Sequence, residues 1–382
     1  MSVKKIAFLK SAISQSGGLE KYCKALMQGF RSHGCEVILL TTDATNDKEL
    51  EGIKVIDFGK RSKCSFYHLL RFDLQCKKYL KNNPCDVVFG FDRNFCLQTH
   101  YRAGNGVHAA YLKSRKKTCS FFKRLSFSIN PLHRLILQME KKTYESPKLQ
   151  ILFCNSQMVK EEILEYYPKV PERKIKVVHN GVEWKKFSQE FEKGFLERPD
   201  ILKDLGLNPD YHQFLFIGHE YKRKGLLSLL EALSLLPEKK WQLSVIGKER
   251  SLETFSDYAK KLGILEKVFF FGPQKNVIPF YQIADCFVLP SLYDPFANVT
   301  LEALAMGLFV VTTNTNGAAE IISPMNGCVV ENQNAEELKA HLHKALQRPK
   351  TLESAKRIRN SVQYLDFSNQ ISKIIHAVLS DE

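Results

Sequence analysis

Short apolar blocks of three to five residues alternate along this chain with longer stretches in which apolar residues recur every three or four positions. The first kind suits strands buried on both faces and the second suits helices with one apolar side, so the alternation predicts βαβ units and mainly parallel sheets. One series of predicted strands falls at residues 6–9, 37–41, 87–89, 151–154 and 175–178. A second falls at 214–217, 243–246, 268–271, 286–289, 309–312 and 328–330. Between them lie the turn signal Asn180-Gly181 and a polar segment, 184–209, without strand character, which reads as the interdomain connection. Beyond about Ala335 the pattern is wholly helical and closes in an amphipathic stretch at 367–379. The expected organisation is α/β, with an N-terminal domain over residues 1–182, a second over 183–365, and a C-terminal helix over 366–382 that packs back on the first.

The length of 382 residues agrees with two domains rather than one core. The longest apolar runs fall far short of the roughly 20 residues that span a bilayer, and the apolar block at 6–9 is too short for a secretory signal, so a cytoplasmic protein is expected. Ten cysteines occur without a Cys-x-x-Cys pair or zinc-like Cys/His spacing, which favours reduced thiols over a disulfide scaffold or a metal site. Charge changes the picture more. Residues 1–190 carry 34 Lys and Arg against 18 Asp and Glu, whereas residues 191–382 carry 22 against 23. An excess confined to one half suggests that this half faces an anionic partner.

Four segments hold candidate chemistry. Ser16-Gly17-Gly18-Leu19-Glu20 follows the first predicted strand and opens a helix, a place where a ligand can approach closely and a helix N-terminus favours phosphate; a plain tight turn would use Gly-Gly as well. Gly218 to Gly225 holds the same place in the second domain, with Arg223 and Lys224 suited to a diphosphate or to simple solvation. Asp294 lies just beyond the strand 286–289. Glu302 lies one turn into a short helix capped by Asn298 and ended by Gly307. That helix is otherwise apolar except for Thr300, and a carboxylate in such surroundings needs a partner. Asn316-Gly317-Ala318-Ala319-Glu320 repeats the strand-to-helix signal more weakly, with Glu320 a possible cap residue.

Taken together these residues resemble family 4 of the retaining glycosyltransferases. The resemblance covers nearly the whole chain and rests on Gly17-Gly18, His179-Asn180-Gly181-Val182, Arg223-Lys224-Gly225, Ala284-Asp285 and the Asp294 to Glu302 block followed by Gly307. Phe89-Gly90-Phe91-Asp92-Arg93 and Tyr101 to His108 extend it toward members that build the lipopolysaccharide core. The resemblance implies two Rossmann-like domains facing across a cleft, a UDP-sugar as substrate, no metal or other cofactor, and transfer of a hexose, glucose foremost, to an inner-core heptose or similar glycolipid. It implies that Glu302 binds the ribose hydroxyls and Asp294 the sugar hydroxyls. Main-chain N–H groups of Phe296, Ala297, Asn298 and Val299, with Arg223 and Lys224, would hold the diphosphate. Gly18 would leave room near the anomeric carbon, with Gly17 beside it in the donor site, and Asn105 or His108 would line the acceptor side, although a packed or solvated His108 is an equal reading. Two departures stand out: Asp294 occupies a position where Glu is usual, and His219 one where many members have Arg, a part that Arg223 can take. No Asp-x-Asp occurs.

From Arg102 to Glu145 ten Lys or Arg residues face two acids and are interleaved with Phe121, Phe122, Leu125 and Phe127. Lys116, Lys117, Lys123 and Arg124 mark the candidate surface for an anionic membrane or a phosphorylated glycolipid acceptor, on the cytoplasmic face of the membrane. Core packing of the aromatics with solvated charges is the plainer alternative. A nucleic-acid-binding protein would share the sequence pI of about 9.2, but no recognition motif is present. A two-carboxylate glycoside hydrolase would use Asp294 and Glu302 but leave the basic residues of the 218–225 turn without a task. Nothing in the sequence speaks to oligomeric state.

Overall fold

In the computed structural model, the residues described are 3–13, 17–43, 48–59, 61–95, 97–117, 126–127, 129–331, 333–348 and 350–380. They form two compact units, one of Met1–His179 with Asn369–Glu382 and one of Asn180–Ser368.

The first unit is built on a seven-stranded sheet of order β3-β2-β1-β4-β5-β6-β7, parallel throughout. Its strands are β1 (Lys5–Leu9), β2 (Glu36–Thr41), β3 (Lys54–Asp57), β4 (Val87–Gly90), β5 (His100–Ala103), β6 (Ile151–Cys154) and β7 (Ile175–Val177). Phe8, Phe89 and Phe153 stack across β1, β4 and β6 with ring centroids 5.5 and 5.9 Å apart, which fixes the middle of the core. The C-terminal helix Phe367–Leu379 buries Ile371, Ile374, Ile375 and Val378 in this unit, with Ile375 against Gly29 of the helix Gly18–Ser32.

The second unit holds a six-stranded parallel sheet of order β10-β9-β8-β11-β12-β13. Its strands are β8 (His212–Ile217), β9 (Trp241–Ile246), β10 (Val268–Gly272), β11 (Cys286–Leu289), β12 (Phe309–Thr313) and β13 (Gly327–Val330). In both sheets the winding reverses between the first strand and the fourth, at β1/β4 and at β8/β11. Such a reversal opens a crevice beyond the C-terminal strand ends, where ligands of open α/β sheets bind.

Three sequence expectations are corrected. Segment 184–209 is no linker: Trp184–Asp204 is a helix that belongs to the second unit and buries Phe187, Phe191 and Leu202. Arg198 on this helix forms a two-pronged pair with Asp285 at 2.8 and 2.9 Å, so the Ala284-Asp285 motif fixes a helix to the start of β11. Strands β3 and β5 were not foreseen. In His100–Ala103 the polar side chains are themselves buried, Arg102 lying 3.8 Å from the centre of the Tyr22 ring. Asn298 is also no helix cap, because the helix Asn298–Ala305 is preceded by Ala297, whose side chain caps nothing. The side chain of Asn298 instead accepts from Asn180 Nδ2 at 2.7 Å.

Candidate active site

At the β8/β11 crevice the chain leaves β8 through Gly218, His219 and Glu220. Glu220 is the one non-glycine residue at positive φ (56°) among the described residues. The short helix Tyr221–Lys224 follows, then Gly225 at φ 82°. A Cβ on Gly225 would stand 2.0 Å from the carbonyl oxygen of Pro290, so the absence of a side chain lets this turn touch the loop that follows β11. That loop carries Asp294. Lys224 donates from Nζ to Asp294 Oδ2, Arg223 Nη1 stands 3.7 Å from the same oxygen, and Arg223 also donates to the carbonyl of Tyr293 at 3.1 Å and from Nε to Glu220 at 2.6 Å. Two cations distant in sequence from Asp294 thus converge on it, and both Lys224 and Asp294 are nearly buried.

Asp294 and Asn316 form an isolated bridge that ties the β11 loop to the β12 loop, with Asp294 N–H donating to Thr315 and Gly317 N–H to Asp294. The side chain of Asn316 is fully buried. Its Oδ1 accepts from the N–H groups of Ala297 and Ala318, each at 3.1 Å, and its Nδ2 donates to Thr300 and Thr312 at 3.2 and 3.0 Å. The side chain of Asn316 caps the turn Gly317–Ile321.

This bonding narrows the expected anion cradle. The N–H of Phe296 donates to Asp294 Oδ1 at 3.2 Å and that of Ala297 to Asn316, so both are engaged within the loop. Asn298 and Val299, half-exposed in the first helical turn, carry N–H groups that the helix itself cannot satisfy. Their N–H groups are the ones placed to face an anion, and the helix dipole adds to the attraction. Glu302 lies one turn further, where the buried hydroxyl of Tyr281 donates to its Oε2 at 2.8 Å. Burial and the Glu302 charge hold the Tyr281 phenol well above its ordinary pKa, so it stays a donor. His219 Nδ1 accepts from the N–H of Lys248 at 2.9 Å.

At the β1/β4 crevice of the first unit, Lys10 is buried between Glu20 at 3.0 Å and Asp92 at 3.4 Å, and Asp92 also accepts from Ser11 N–H and Oγ at 2.5 and 2.6 Å. Gly17 precedes the helix Gly18–Ser32, and a Cβ there would meet Glu20 Oε2 at 2.1 Å. The glycine therefore makes room for a carboxylate of its own helix, a local reason independent of any ligand; Gly18 is exposed.

Asn105 is exposed on the turn before the helix His108–Lys117. His108 is buried, with Nε2 3.0 Å from Nδ1 of His133 and its main-chain N–H bonded to Glu140 at 3.0 Å. Glu140, 1% exposed, also takes Arg93 at 2.9 and 3.0 Å and the hydroxyl of Tyr167 at 2.9 Å. Burial, with Arg93 and His133 nearby, lowers the His108 pKa to about 3, so the imidazole is neutral and packed. The packed reading of His108 is the one this geometry supports. Lys116 is half-buried and Lys117 ends its helix, while Lys123 and Arg124, like Phe121, Phe122 and Leu125, lie outside the described residues. Phe127 is half-buried beneath Arg115, 5.4 Å from its ring centre. Among the described residues no helix is long and apolar enough to cross a membrane, and no three His, Cys, Asp or Glu side chains are grouped to hold a metal ion.

Tyr281 is the functional candidate that the sequence pattern does not reveal, while Asn316 and Glu220 are legible only as members of the turns 316–320 and 218–225. Tyr281 and Asn316 work through partners brought close by folding, 21 residues away for Tyr281 and Glu302, whereas Glu220 pairs with Arg223 three residues on. The signal for Asn316 is its place in the turn that follows the strand 309–312 and opens Gly317-Ala318-Ala319-Glu320.

The geometry agrees with comparisons to known proteins. Residues 16–185 match the family model Glycosyltransferase Family 4, and residues 197–363 match Glycosyl transferases group 1. A glycosyltransferase of Methanocaldococcus jannaschii is 27% identical over 84% of this chain and 83% of its own length. The lipopolysaccharide glucosyltransferase WaaG of Escherichia coli is 25% identical over 89% of both chains. The crystal structure of WaaG superposes with a TM-score of 0.80 at 23% identity, covering 98% of this chain and all of that one. The Anabaena protein HepE, solved with UDP and glucose, superposes with a TM-score of 0.69 at 16% identity over 99% of this chain and all of that one. With two matched models that together span most of its length and two doubly wound units of the fold those structures share, the chain belongs to the family 4 glycosyltransferases.

Proposed function

We propose that this glycosyltransferase moves a hexose, glucose foremost, from a UDP-sugar to a heptose of the lipopolysaccharide inner core or a similar glycolipid, with retention of anomeric configuration. The observation that carries the reading is the convergence of Arg223 and Lys224 on Asp294 beside the uncapped first turn of the helix Asn298–Ala305, with Glu302 one turn away. The 25% identity with WaaG supports the choice of sugar and acceptor.

In this mechanism Arg223, Lys224 and the N–H groups of Asn298 and Val299 hold the diphosphate without a metal ion, and Glu302 accepts from the ribose hydroxyls. The acceptor hydroxyl attacks the anomeric carbon from the side of the departing UDP. The new C–O bond forms as the bond from that carbon to the phosphate oxygen breaks, and a phosphate oxygen of the departing UDP takes the proton. Fixed cations and helix N–H groups stabilise the charge that grows on the leaving diphosphate; losing one such contact costs about 10²–10³ in rate. Asp294, neutralised by two cations, acts as their counter-ion and as an acceptor for sugar hydroxyls, not as a proton carrier. The basic first half, with Lys116 and Lys117, faces phosphates of the glycolipid and the anionic cytoplasmic surface of the membrane.

A panel of nucleotide sugars scored for nucleotide release, with and without heptose-containing core glycolipid, tests the reading, with the anomeric configuration of the product read by NMR. Selective use of a UDP-hexose and loss of turnover in Glu302→Ala are expected; undiminished turnover in that variant refutes the role of Glu302. Sedimentation with anionic liposomes at low salt tests the membrane surface, and failure to sediment refutes it. Salt-sensitive RNA or DNA binding without turnover would favour the nucleic-acid alternative.

A further inference from the structure

Glu302 is aimed by a residue that the reaction itself does not touch. Tyr281 is fully buried on the six-residue helix Ile278–Ile283, and its hydroxyl reaches Glu302 Oε2 at 2.8 Å and the Val299 carbonyl at 3.4 Å. So short a helix cannot hold itself rigid by its own hydrogen bonds. Here it is pinned from outside. Lys350 Nζ donates to the last carbonyls, those of Tyr281 and Gln282, at 3.1 and 3.3 Å. Gln282 donates to the Glu190 carbonyl at 2.9 Å and lies so close to Gly194 that a Cβ there would come within 2.8 Å of Gln282 Cγ. The ring of Tyr281 is boxed by Phe187 and Phe287, centroids 6.4 and 6.5 Å away.

We propose that Tyr281 is a positioning residue that locks the Glu302 carboxylate in the rotamer able to accept from both ribose hydroxyls, and so sets the preference of the enzyme for ribonucleotides. A half-buried carboxylate without a tether can sample more than one rotamer. With Oε2 tethered to a fixed phenol, Oε1 has one direction left. The inference rests on the assignment of Glu302 to the ribose.

Its test is the ratio of dissociation constants for 2′-deoxy-UDP and UDP, measured by calorimetry on the full-length protein as wild type, Tyr281→Phe, Glu302→Ala and the double variant. A hydrogen bond to a charged group predicts a ratio on the order of ten or more in the wild type. Tyr281→Phe is expected to lower that ratio several-fold, and to leave it unchanged when Glu302 is already Ala. A merely structural tyrosine would weaken both nucleotides equally, and an unchanged ratio in Tyr281→Phe overturns the proposal. A wild type that does not discriminate between the two nucleotides overturns the ribose assignment of Glu302 and the proposal with it, so the two failures are distinct. Lys350→Met loosens the same helix without altering the ring. It is expected to lower the ratio in the same direction, and serves if Tyr281→Phe does not fold.

Discussion

Replacing Asn316 by Ala tests whether one buried amide organises the loop that carries Asp294. Its Oδ1 is the acceptor for two main-chain N–H groups, Ala297 and Ala318, inside a site where Asn316 has no exposed surface. The amide cannot be turned over, because its NH₂ would then face two N–H donors. Alanine removes the acceptor and leaves both donors without a partner. At about 1–3 kcal/mol for each buried group left unsatisfied, the loss is about 2–6 kcal/mol, and water entering the vacated space puts it near about 3 kcal/mol. For a unit of this size that corresponds to a fall in Tm of roughly 6–12 °C. Asn316→Asp keeps the acceptor but loses the donor to Thr300 and Thr312, and Thr312 already donates to Leu289 at 2.8 Å, so part of the loss should remain. Thermal and urea unfolding of both variants, with UDP affinity measured alongside, gives the comparison. An Asn316→Ala protein within about 0.5 kcal/mol of wild type, the range of neutral surface changes, refutes the reasoning.

Four further outcomes follow from the same structure. Gly225→Ala combines a φ of 82° with a contact of 2.0 Å to the Pro290 carbonyl, so a loss of at least about 2 kcal/mol is expected in urea unfolding, with weaker nucleotide binding. Lys350 has its pKa lowered to about 7 by burial, with Arg198 adding to the fall and Asp285 opposing it. The unfolded chain therefore holds more protons between pH 7 and the ordinary lysine value, and this group makes stability rise with pH over that window. Melting scans from pH 6.5 to 9 should show a rise for wild type that Lys350→Met lacks. His108, neutral down to about pH 3, makes stability fall as pH drops below the ordinary histidine range, and His108→Gln should flatten the melting temperature between pH 6.5 and 4. Glu140→Gln strips the counter-charge from Arg93 in a buried cluster and should cost about 3–5 kcal/mol by the same unfolding measurement.

Legibility in the sequence followed burial. Strands such as Cys286–Leu289 and Ile151–Cys154 are continuous apolar runs, and a run buried on both faces needs no partner to be recognised. His100–Ala103 is equally buried yet reads as polar, because Arg102 is accommodated by Tyr22 and by the Val178 carbonyl at 3.5 Å, neither of them near in sequence. The helix Trp184–Asp204 offered a signal that was passed over, Phe187, Phe191 and Phe195 at spacings of four, obscured by Pro199 and many charges.

Most of the strands, their division into two α/β series and the placing of Arg223, Lys224, Asp294 and Glu302 beyond strand ends were determined by the sequence alone, since local periodicity and turn residues suffice for them. Which groups touch was decided by tertiary structure. The pairing of Asp294 with two cations, the capture of the Ala297 N–H group by Asn316, the phenol on Glu302 and the burial of His108 against His133 all join residues distant in the chain. Pattern along a chain records which face is apolar. It does not record which buried polar group will satisfy which other, because that pairing exists only once the sheets and helices have packed.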